Sequence, residues 1–462
     1  MLGVPGVLGV RGVLWASEFI DRRAPEANTR REVRPGHRRP GPAGHDTPVA
    51  MTDRSRGASD LHTDPQPETG GDDDTSQPGP GQLELRVMSS LDELTAAAWN
   101  GLGGERRNPF LSWQFLEGLE RTGCVAPERG WVPCHLTAWR GEDLVAAAPA
   151  YVKGDEMGDF SRDWGFGHAL QQLGGSLYPK LVIGVPFSPV SGQRFLHARD
   201  LPLEHAVAAL CALAQEVCRQ NGLARFQVLY CSPAEAEILT RLGLAPRALI
   251  QYHWHNRGYA TSDDWLAGLK SKRRTQARRE RREPELQGVR IRTVRGAELA
   301  ERADHWAGIA HGLYRTTCDK YMWGGAYLNR AFFDHLFTAL PENVELVVAE
   351  RAGEPPIAGA INVSSDTHLY GRYWGCHEEL RFLHFNVCLY HSIDDCIARG
   401  LQVFEGGAGG EHKISRGFEP EIVHGAHWFS DRRVHALLRD ALRRDEVAQI
   451  ARVEAWKTEN RS

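Results

Sequence analysis

No two of the nine cysteines (Cys124, Cys134, Cys211, Cys218, Cys231, Cys318, Cys376, Cys388 and Cys396) form a Cys-x-x-Cys pair. That spacing gives no support to a zinc ribbon or a thioredoxin-like site. Several lie inside apolar runs, as Cys211, Cys218 and Cys388 do, where free buried thiols are expected. Unpaired thiols fit a reducing compartment, so the expected location is the cytoplasm. No stretch has the length and apolarity of a transmembrane helix. The opening MLGVPGVLGVRGVLWASEF lacks a basic start and is interrupted by Arg11, unlike a signal peptide. Charge of one sign is also missing. Lys and Arg number 55 against 59 Asp and Glu, a net charge of −4, so the chain is not a polycation built to coat nucleic acid.

With 462 residues the chain is long enough for two or three domains. Residues 1–82 are rich in Arg, Pro, Gly, Asp and Ser and carry almost no apolar periodicity. They are expected to be disordered, because they bury too little surface to offset chain entropy. Met51 opens MTDRSRGASD and competes with Met1 as the natural start, which mass spectrometry of the N-terminus would decide.

From LELRVMSS (83–90) the pattern turns globular. A helix is expected to start at Ser112. CHLTAWRGEDLVAAAPAYVK (134–153) reads as a hairpin around Gly-Glu-Asp. LEHAVAALCALAQEVCRQNG (203–222) reads as a helix stopped by Asn-Gly, and ARFQVLYC (224–231) as a buried strand. The second half repeats this order. VELVVAERAGEPPIAGAINVSS (344–365) is strand, turn, strand, and HLYGRYWGC (368–376) a third strand. HFNVCLYHSIDDCIARG (384–400) is an amphipathic helix, and LQVFEGG (401–407) the strand after it. The pairs CRQNGLARFQVLY/CIARGLQVFEG and LTAWRGEDLVAAAPAYV/LVVAERAGEPPIAGAINV suggest that one α/β unit is duplicated. Between the halves, WLAGLKSKRRTQARRERREPELQG (265–288) reads as a helix capped by Asp263 and Asp264, basic on every face, and ended or kinked at Pro284. Most such runs are solvated faces. One this dense repels itself unless anions lie close by, and phosphates are the usual reason.

The second half resembles a GNAT acyltransferase fold, and the chain is similar to the FemAB-like family of peptidoglycan biosynthesis or recognition proteins. The resemblance rests on NPFLSWQFLEGLERTGCV (108–125), YPKLVIGVPFSPVSGQRFL (178–196), WHNRGYATSDDWLAGLKSKRRTQARRERR (254–282), YGRYWGCHEELRFLHFNVCLY (370–390) and EGGAGGEHKISRGFEP (405–420), and covers residues 85–445. It implies an α/β (α+β) fold of tandem GNAT-like domains with mixed central sheets. The first is expected over 83–255 and the second, catalytic one over 301–445. A basic connector over 256–300 would join them, and a tail over 446–462 would follow. It also implies a bacterial N-acyl or aminoacyl transferase acting on an amine, such as that of a cell-wall precursor. The donor would be acyl-CoA or an aminoacyl-tRNA, with no tightly bound cofactor. The alternative is a non-catalytic module that recognises peptidoglycan or another ligand. Lys413, Arg416, Gly417 and Phe418 match a Lys-x-x-Phe/Arg-Gly-Phe-like element of the Fem transferases. The usual GNAT phosphate loop is not apparent after residue 376, where GCHEELRFLHF stands instead.

Acyl transfer to an amine needs a positioned amine, a base and a stabilised oxyanion. Glu405 closes a strand, where a carboxylate suits a base or an ammonium ligand. Glu411 and His412 are further candidate bases, although a loop histidine taken alone is more often structural. Lys413 and Arg416 suit a phosphate or carboxylate. Strand alternation puts Tyr370, Arg372 and Trp374 on one face, a candidate clamp that is as often an exterior strand face. His384 opens the next helix and can donate to an anion. Tyr178 and Lys180 precede the shaped loop VPFSPVSG, which lines the cleft or merely connects. Lys272, Arg273, Arg274 and Arg278 are the candidate contacts to donor phosphate or RNA. A metal is not expected, since HExxH and EF-hand spacings are absent. A P-loop is not expected either, since GGAGGEHK lacks Gly-Lys-Ser/Thr.

Overall fold

A computed structural model of the chain describes residues 7–11, 82–104, 108–172, 175–320, 325–407 and 409–460. Among the described residues, sixteen strands form two sheets. In the first half they are β1 (Val7–Arg11), β2 (Leu83–Met88), β3 (Trp131–Pro133), β4 (His135–Arg140), β5 (Asp143–Ala148), β6 (Ala150–Lys153), β7 (Lys180–Ile183), β8 (Leu196–His197), β9 (Arg225–Cys231) and β10 (Ala245–His255). The second half supplies β11 (Arg290–Arg295), β12 (Val344–Glu350), β13 (Ala358–Ser364), β14 (His368–Cys376), β15 (Val403–Glu405) and β16 (Glu419–Phe429).

The duplication is visible in the order of elements. Each half runs a strand, a helical pair, a block of strands, a helix, a strand, a further helical segment and a closing strand; the block is β3–β8, with the helix Trp164–Gln172 among them, in the first half and only β12–β14 in the second. The two-helix insert is Ala96–Asn100 with Trp113–Arg121 in the first half and Ala303–Cys318 with Arg330–Ala339 in the second. The later helix is Leu203–Gln220 in the first half. In the second it is Leu383–Phe385, a π turn over Asn386–Tyr390 and His391–Arg399. Both halves place a parallel pair at the same point, β7 with β9 and β14 with β15. Ser112 does start a helix, accepting the Phe115 N–H at 3.2 Å.

The halves also exchange their last strands. The larger sheet runs β11-β12-β13-β14-β15-β10-β16-β9-β7-β6-β3. So β10 of the first half lies beside β15 of the second, and β16 of the second lies beside β9 of the first. β10 and β16 pair antiparallel from Ala245↔His427 to His253↔Glu419. The sheet is therefore continuous, and a cut at residue 255 would divide a hydrogen-bonded unit. β11 pairs with β12 and belongs to the second half rather than to a connector. The expected tail over 446–462 lies mostly in the helix Arg432–Asn460, which packs on β10 and β16.

Of residues 1–82, expected to be disordered, Val7–Arg11 form a strand parallel to β2; apart from Gln82, the rest lie outside the described residues. The basic segment is two helices, not one. Thr261 caps Ser262–Ala267 in a capping box with Asp264. The second helix, Ser271–Leu286, contains Pro284 and stops two residues beyond it. Nor is it basic on every face: Ala277, Glu280 and Pro284 are buried.

Candidate functional site

β14 and β15 are paired only from His368↔Val403 to Tyr370↔Glu405. Beyond that point β14 continues to Cys376, while the chain leaving β15 turns into the glycine run. The two paths diverge and leave a cavity of about 280 Å³. Gly371–Trp374 form one rim and Gly406, Gly407, Gly409 and Gly410 the other. His384, Cys388 and Leu389 come from the helix that follows β14, and His412 and Lys413 from the turn Glu411–Arg416. Glycine is needed where the rims meet. Gly407 has φ +78°, and a Cβ there would lie 3.0 Å from the Gly371 carbonyl oxygen. The widened π turn beside the cavity is a feature found often at functional sites.

Lys413 is the buried cation of this cavity, 4% exposed. Its Nζ donates to the Gly407 carbonyl at 2.7 Å. Burial without a carboxylate partner lowers its pKa to about 8, helped by the charge of Arg162. His384 stands edge-on to Trp374 at 5.0 Å, and burial lowers it to about 4. His412 lies against Phe385, and burial with Lys413 and Arg416 nearby pulls it below the usual histidine value. Both imidazoles are neutral at pH 7. Cys388 is also within the wall, but burial raises its thiol, which makes it a poor nucleophile.

Arg372 is where simple alternation fails. β14 carries a bulge: Ile361 faces Tyr373 but Asn362 faces Gly371, so Arg372 is the extra residue. Tyr370 and Tyr373 pack in one apolar cluster and Trp374 in another. Tyr370, Arg372 and Trp374 therefore do not share a face. Tyr370 is buried against Phe110 and is not a lining residue. Arg372 reaches across to donate to the Phe187 carbonyl, and its buried Nε has no hydrogen-bond partner among the described residues.

The expected shaped loop does approach this site from the first half. Besides Phe187, it supplies the Ser191 N–H, which donates to Glu405 at 3.1 Å. Pro189 accepts from Gln251 of β10 at 2.8 Å. Tyr178 and Lys180, however, belong elsewhere. Lys180 is fully buried and pairs with Asp159 at 2.7 Å and Asp163 at 3.0 Å. Tyr178 donates to Asp159 at 3.1 Å. Asp163 also binds Arg225, so this is a closed charge cluster within the first half.

Other expectations are corrected by their partners. Glu405 is 4% exposed and does not line the cavity. It lies near Ser191, Arg194 and Arg372, and burial raises it to about 7. Glu411 is exposed, and its ion pair among the described residues is with Arg452, at 3.4 Å. Arg416 does not face the cavity. It grips Glu280 with two hydrogen bonds of 3.0 and 2.9 Å, and its guanidinium lies 3.4 Å above the Phe385 ring. Tyr390 and Gln276 donate to the same carboxylate at 2.7 Å each. This buried knot fastens the basic helix to the turn that carries Lys413. Arg274 donates to the Ala267 and Leu269 carbonyls, and Arg278 sits 3.7 Å from Asp263. Lys272 and Arg273 have no partner among the described residues.

Two lining residues had no signal in the sequence. Asn362 is buried on β13 and donates to Ser392 at 3.2 Å. Cys388 looks like any core cysteine until the π turn presents it to the cavity. Among the described residues no helix is long and apolar enough to cross a membrane.

A tandem GNAT protein from the clavulanic acid biosynthesis pathway has a similar fold at 12% identity, covering 76% of this chain and 99% of that one, with a TM-score of 0.39. FemX is similar at 11% identity, 75% and 98% coverage and a TM-score of 0.46. L-PGS from Bacillus licheniformis is similar at 10% identity, 74% and 98% coverage and a TM-score of 0.43. None of the curated proteins matches the chain. A model of the FemAB-like family, described as peptidoglycan biosynthesis/recognition, matches residues 90–461. The chain belongs to the FemAB-like family.

Proposed function

We propose that the protein is an N-acyl or aminoacyl transferase whose reaction takes place in the cavity between β14 and the glycine run. The observation that carries this reading is Lys413. An ammonium is held in a cavity wall with one backbone carbonyl as its only hydrogen-bond partner among the described residues, and no carboxylate neutralises it. Such a charge is costly unless something anionic develops opposite it. In acyl transfer that is the oxyanion of the tetrahedral intermediate. The buried Nε–H of Arg372, which lacks a partner, is a second donor of the right kind.

The amine attacks the acyl carbonyl, the new C–N bond forms, and the C–O or C–S bond to the donor breaks. The amine loses a proton, and neutral His412 at the rim is the acceptor this geometry favours. The leaving oxygen or sulfur takes up a proton. Trp374 and His384 give the acceptor an apolar and hydrogen-bonding wall. An amine of a peptidoglycan precursor fits the family. The donor arrives as a co-substrate, acyl-CoA or aminoacyl-tRNA. Unpaired Lys272 and Arg273 suit RNA phosphates, in which case binding falls steeply with salt.

The test is a transfer assay with labelled aminoacyl-tRNA and labelled acyl-CoA, offered with muropeptide amines. Lys413→Met is expected to lower turnover about 10²- to 10³-fold, with acceptor affinity kept. If the wild-type protein binds muropeptides but turns over neither donor, it is a recognition protein and the transferase reading is wrong.

A further inference from the structure

Lysine is scarce in this chain. Of its 55 Lys and Arg residues only seven are lysines, and the rest are arginines. Four of the seven are held by carboxylates: Lys153 by Asp155, Lys180 by Asp159 and Asp163, Lys320 by Glu379, and Lys457 by Glu421. Lys270 and Lys272 are exposed at the start of the basic helix Ser271–Leu286, where water solvates them. Among the described residues, Lys413 alone is both buried and without a carboxylate partner. A chain that otherwise relies on arginine thus places an amine in this wall. The difference is chemical. A guanidinium stays charged and is no nucleophile, whereas an amine that sheds its proton is one.

The surroundings favour that neutral amine. No carboxylate lines the cavity, and its other charged lining residue is Arg372. Burial and the charge of Arg162 lower Lys413 to about 8. The Nζ is anchored on the Gly407 carbonyl oxygen at 2.7 Å, so it is held in the wall. The mouth is open beside it. His412 is exposed at the rim, and Gly409 and Gly410 put no side chain across it. An acyl group on Nζ would also be matched by what stands there. The amide N–H can keep the bond to Gly407. The new carbonyl oxygen meets donors, among them the Nε–H of Arg372, which has no partner among the described residues, and the His384 imidazole. A buried positive charge, costly in such a wall, is removed at the same time.

We propose that Lys413 is a modification site: its Nζ takes an acyl group from a thioester or an acyl phosphate, and the acylated protein is switched off. This rests on the reading of the cavity as the transfer site and names its regulation. The Nζ first gives one proton to solvent and then attacks the acyl carbonyl. The N–C bond forms, and the C–S bond of the thioester or the C–O bond of the acyl phosphate breaks. The second proton on nitrogen ends on the departing thiolate or phosphate. The ammonium that faces the oxyanion has become a neutral amide, so transfer stops.

The test is to incubate the full chain with acetyl phosphate and, separately, with acetyl-CoA, and to read each of the seven lysines by peptide mass spectrometry. With at least one reagent, Lys413 should be acetylated about tenfold faster than exposed Lys270 and Lys272. In the urea-unfolded chain that preference should vanish, because it comes from the cavity and not from neighbouring sequence. Transfer turnover should fall in proportion to the fraction of Lys413 acetylated. Reaction at Lys270 and Lys272 with Lys413 unmarked under both reagents overturns the proposal. So does a preference that survives in urea, or a marked protein that transfers at full rate. Marking needs no acceptor amine, so the two readings fail separately. Transfer with Lys413 unmarked leaves the transfer reading standing alone. A marked Lys413 in a protein that transfers nothing overturns the transfer reading and the switch with it, and keeps only the acylation.

Discussion

The two halves of the molecule solve the same geometric problem in opposite ways. Each contains a parallel strand pair that separates beyond its last shared residues. In the first half, beyond Ile183↔Val228, the space is filled. The chain leaving β7 folds back, and Arg194, fully buried, donates to the carbonyls of Val190, Gly192, Gln193 and Leu229. Glu235 accepts the N–H groups of Arg194 and Phe195 at 2.7 and 2.8 Å. In the second half, beyond Tyr370↔Glu405, the space stays open, and the groups around it are short of partners. The first opening is filled by a buried arginine whose guanidinium is hydrogen-bonded to four backbone carbonyls, which stabilises the fold, although the Ser188 and Ser191 hydroxyls there have no partner among the described residues. An open one with an unneutralised lysine costs stability, which fits the proposed transfer site. The duplicated unit thus leaves one opening free and builds the other into its core.

The largest expected effect is on the knot that holds the open side in place. Glu280→Ala should cost about 3–5 kcal/mol, because it leaves Arg416 buried and unpaired. Denaturant unfolding measures it. A cost under about 1 kcal/mol would mean that the Lys413 turn is not anchored there. Arg194→Ala should cost about 3 kcal/mol, through buried carbonyls left without donors. It should leave the transfer activity of the surviving folded protein intact. Strong loss of turnover at native conditions would break the contrast between a filled half and a working half.

Titration sharpens the same comparison. Lys413 in the fold loses its proton at about 8, against an ordinary value of 10.5. The unfolded chain therefore binds more protons between these values, and stability should rise with pH across that window. Lys413→Met should abolish this gain, as followed by urea midpoints from pH 7 to 10. Glu405 has the opposite sign. Its folded value of about 7 stands above the ordinary 4.5, so the fold binds the proton more tightly. That contribution is present below pH 4.5 and is lost as pH rises through about 7. Glu405→Gln should flatten this loss. The smallest effect belongs to Glu411. Its exposed contact with Arg452 predicts that Glu411→Ala changes stability by less than about 0.5 kcal/mol and leaves turnover unaltered.

Much of the fold was legible in the chain. Apolar periodicity marks the long helix Leu203–Gln220 and strands β9, β12, β13 and β14, and the paired segments reveal the duplication. The glycine run and Lys413 stand out because glycines and charges rarely crowd together at the end of a strand. What fails is the assignment of partners. Glu405 and Arg416 look as exposed and as reactive as Lys413 in one dimension. Only packing buries Glu405 against the Ser191 N–H and sends Arg416 onto Glu280, 136 residues away in sequence. The bulge at Arg372 is likewise silent in the sequence, because one extra residue alters no composition and yet reverses which face each neighbour shows.

By itself, then, the sequence determined the repeated α/β unit, the position of its helices and strands, and the stretch where glycines and charges crowd together at the end of a strand. These follow from local periodicity and from the conformational freedom of glycine. The tertiary structure alone decided that the halves exchange their closing strands, that one opening is filled and the other left open, and which charges are neutralised. Those outcomes depend on contacts between residues far apart in the chain, and the desolvation and pairing that set each side chain's role exist only once those contacts have formed.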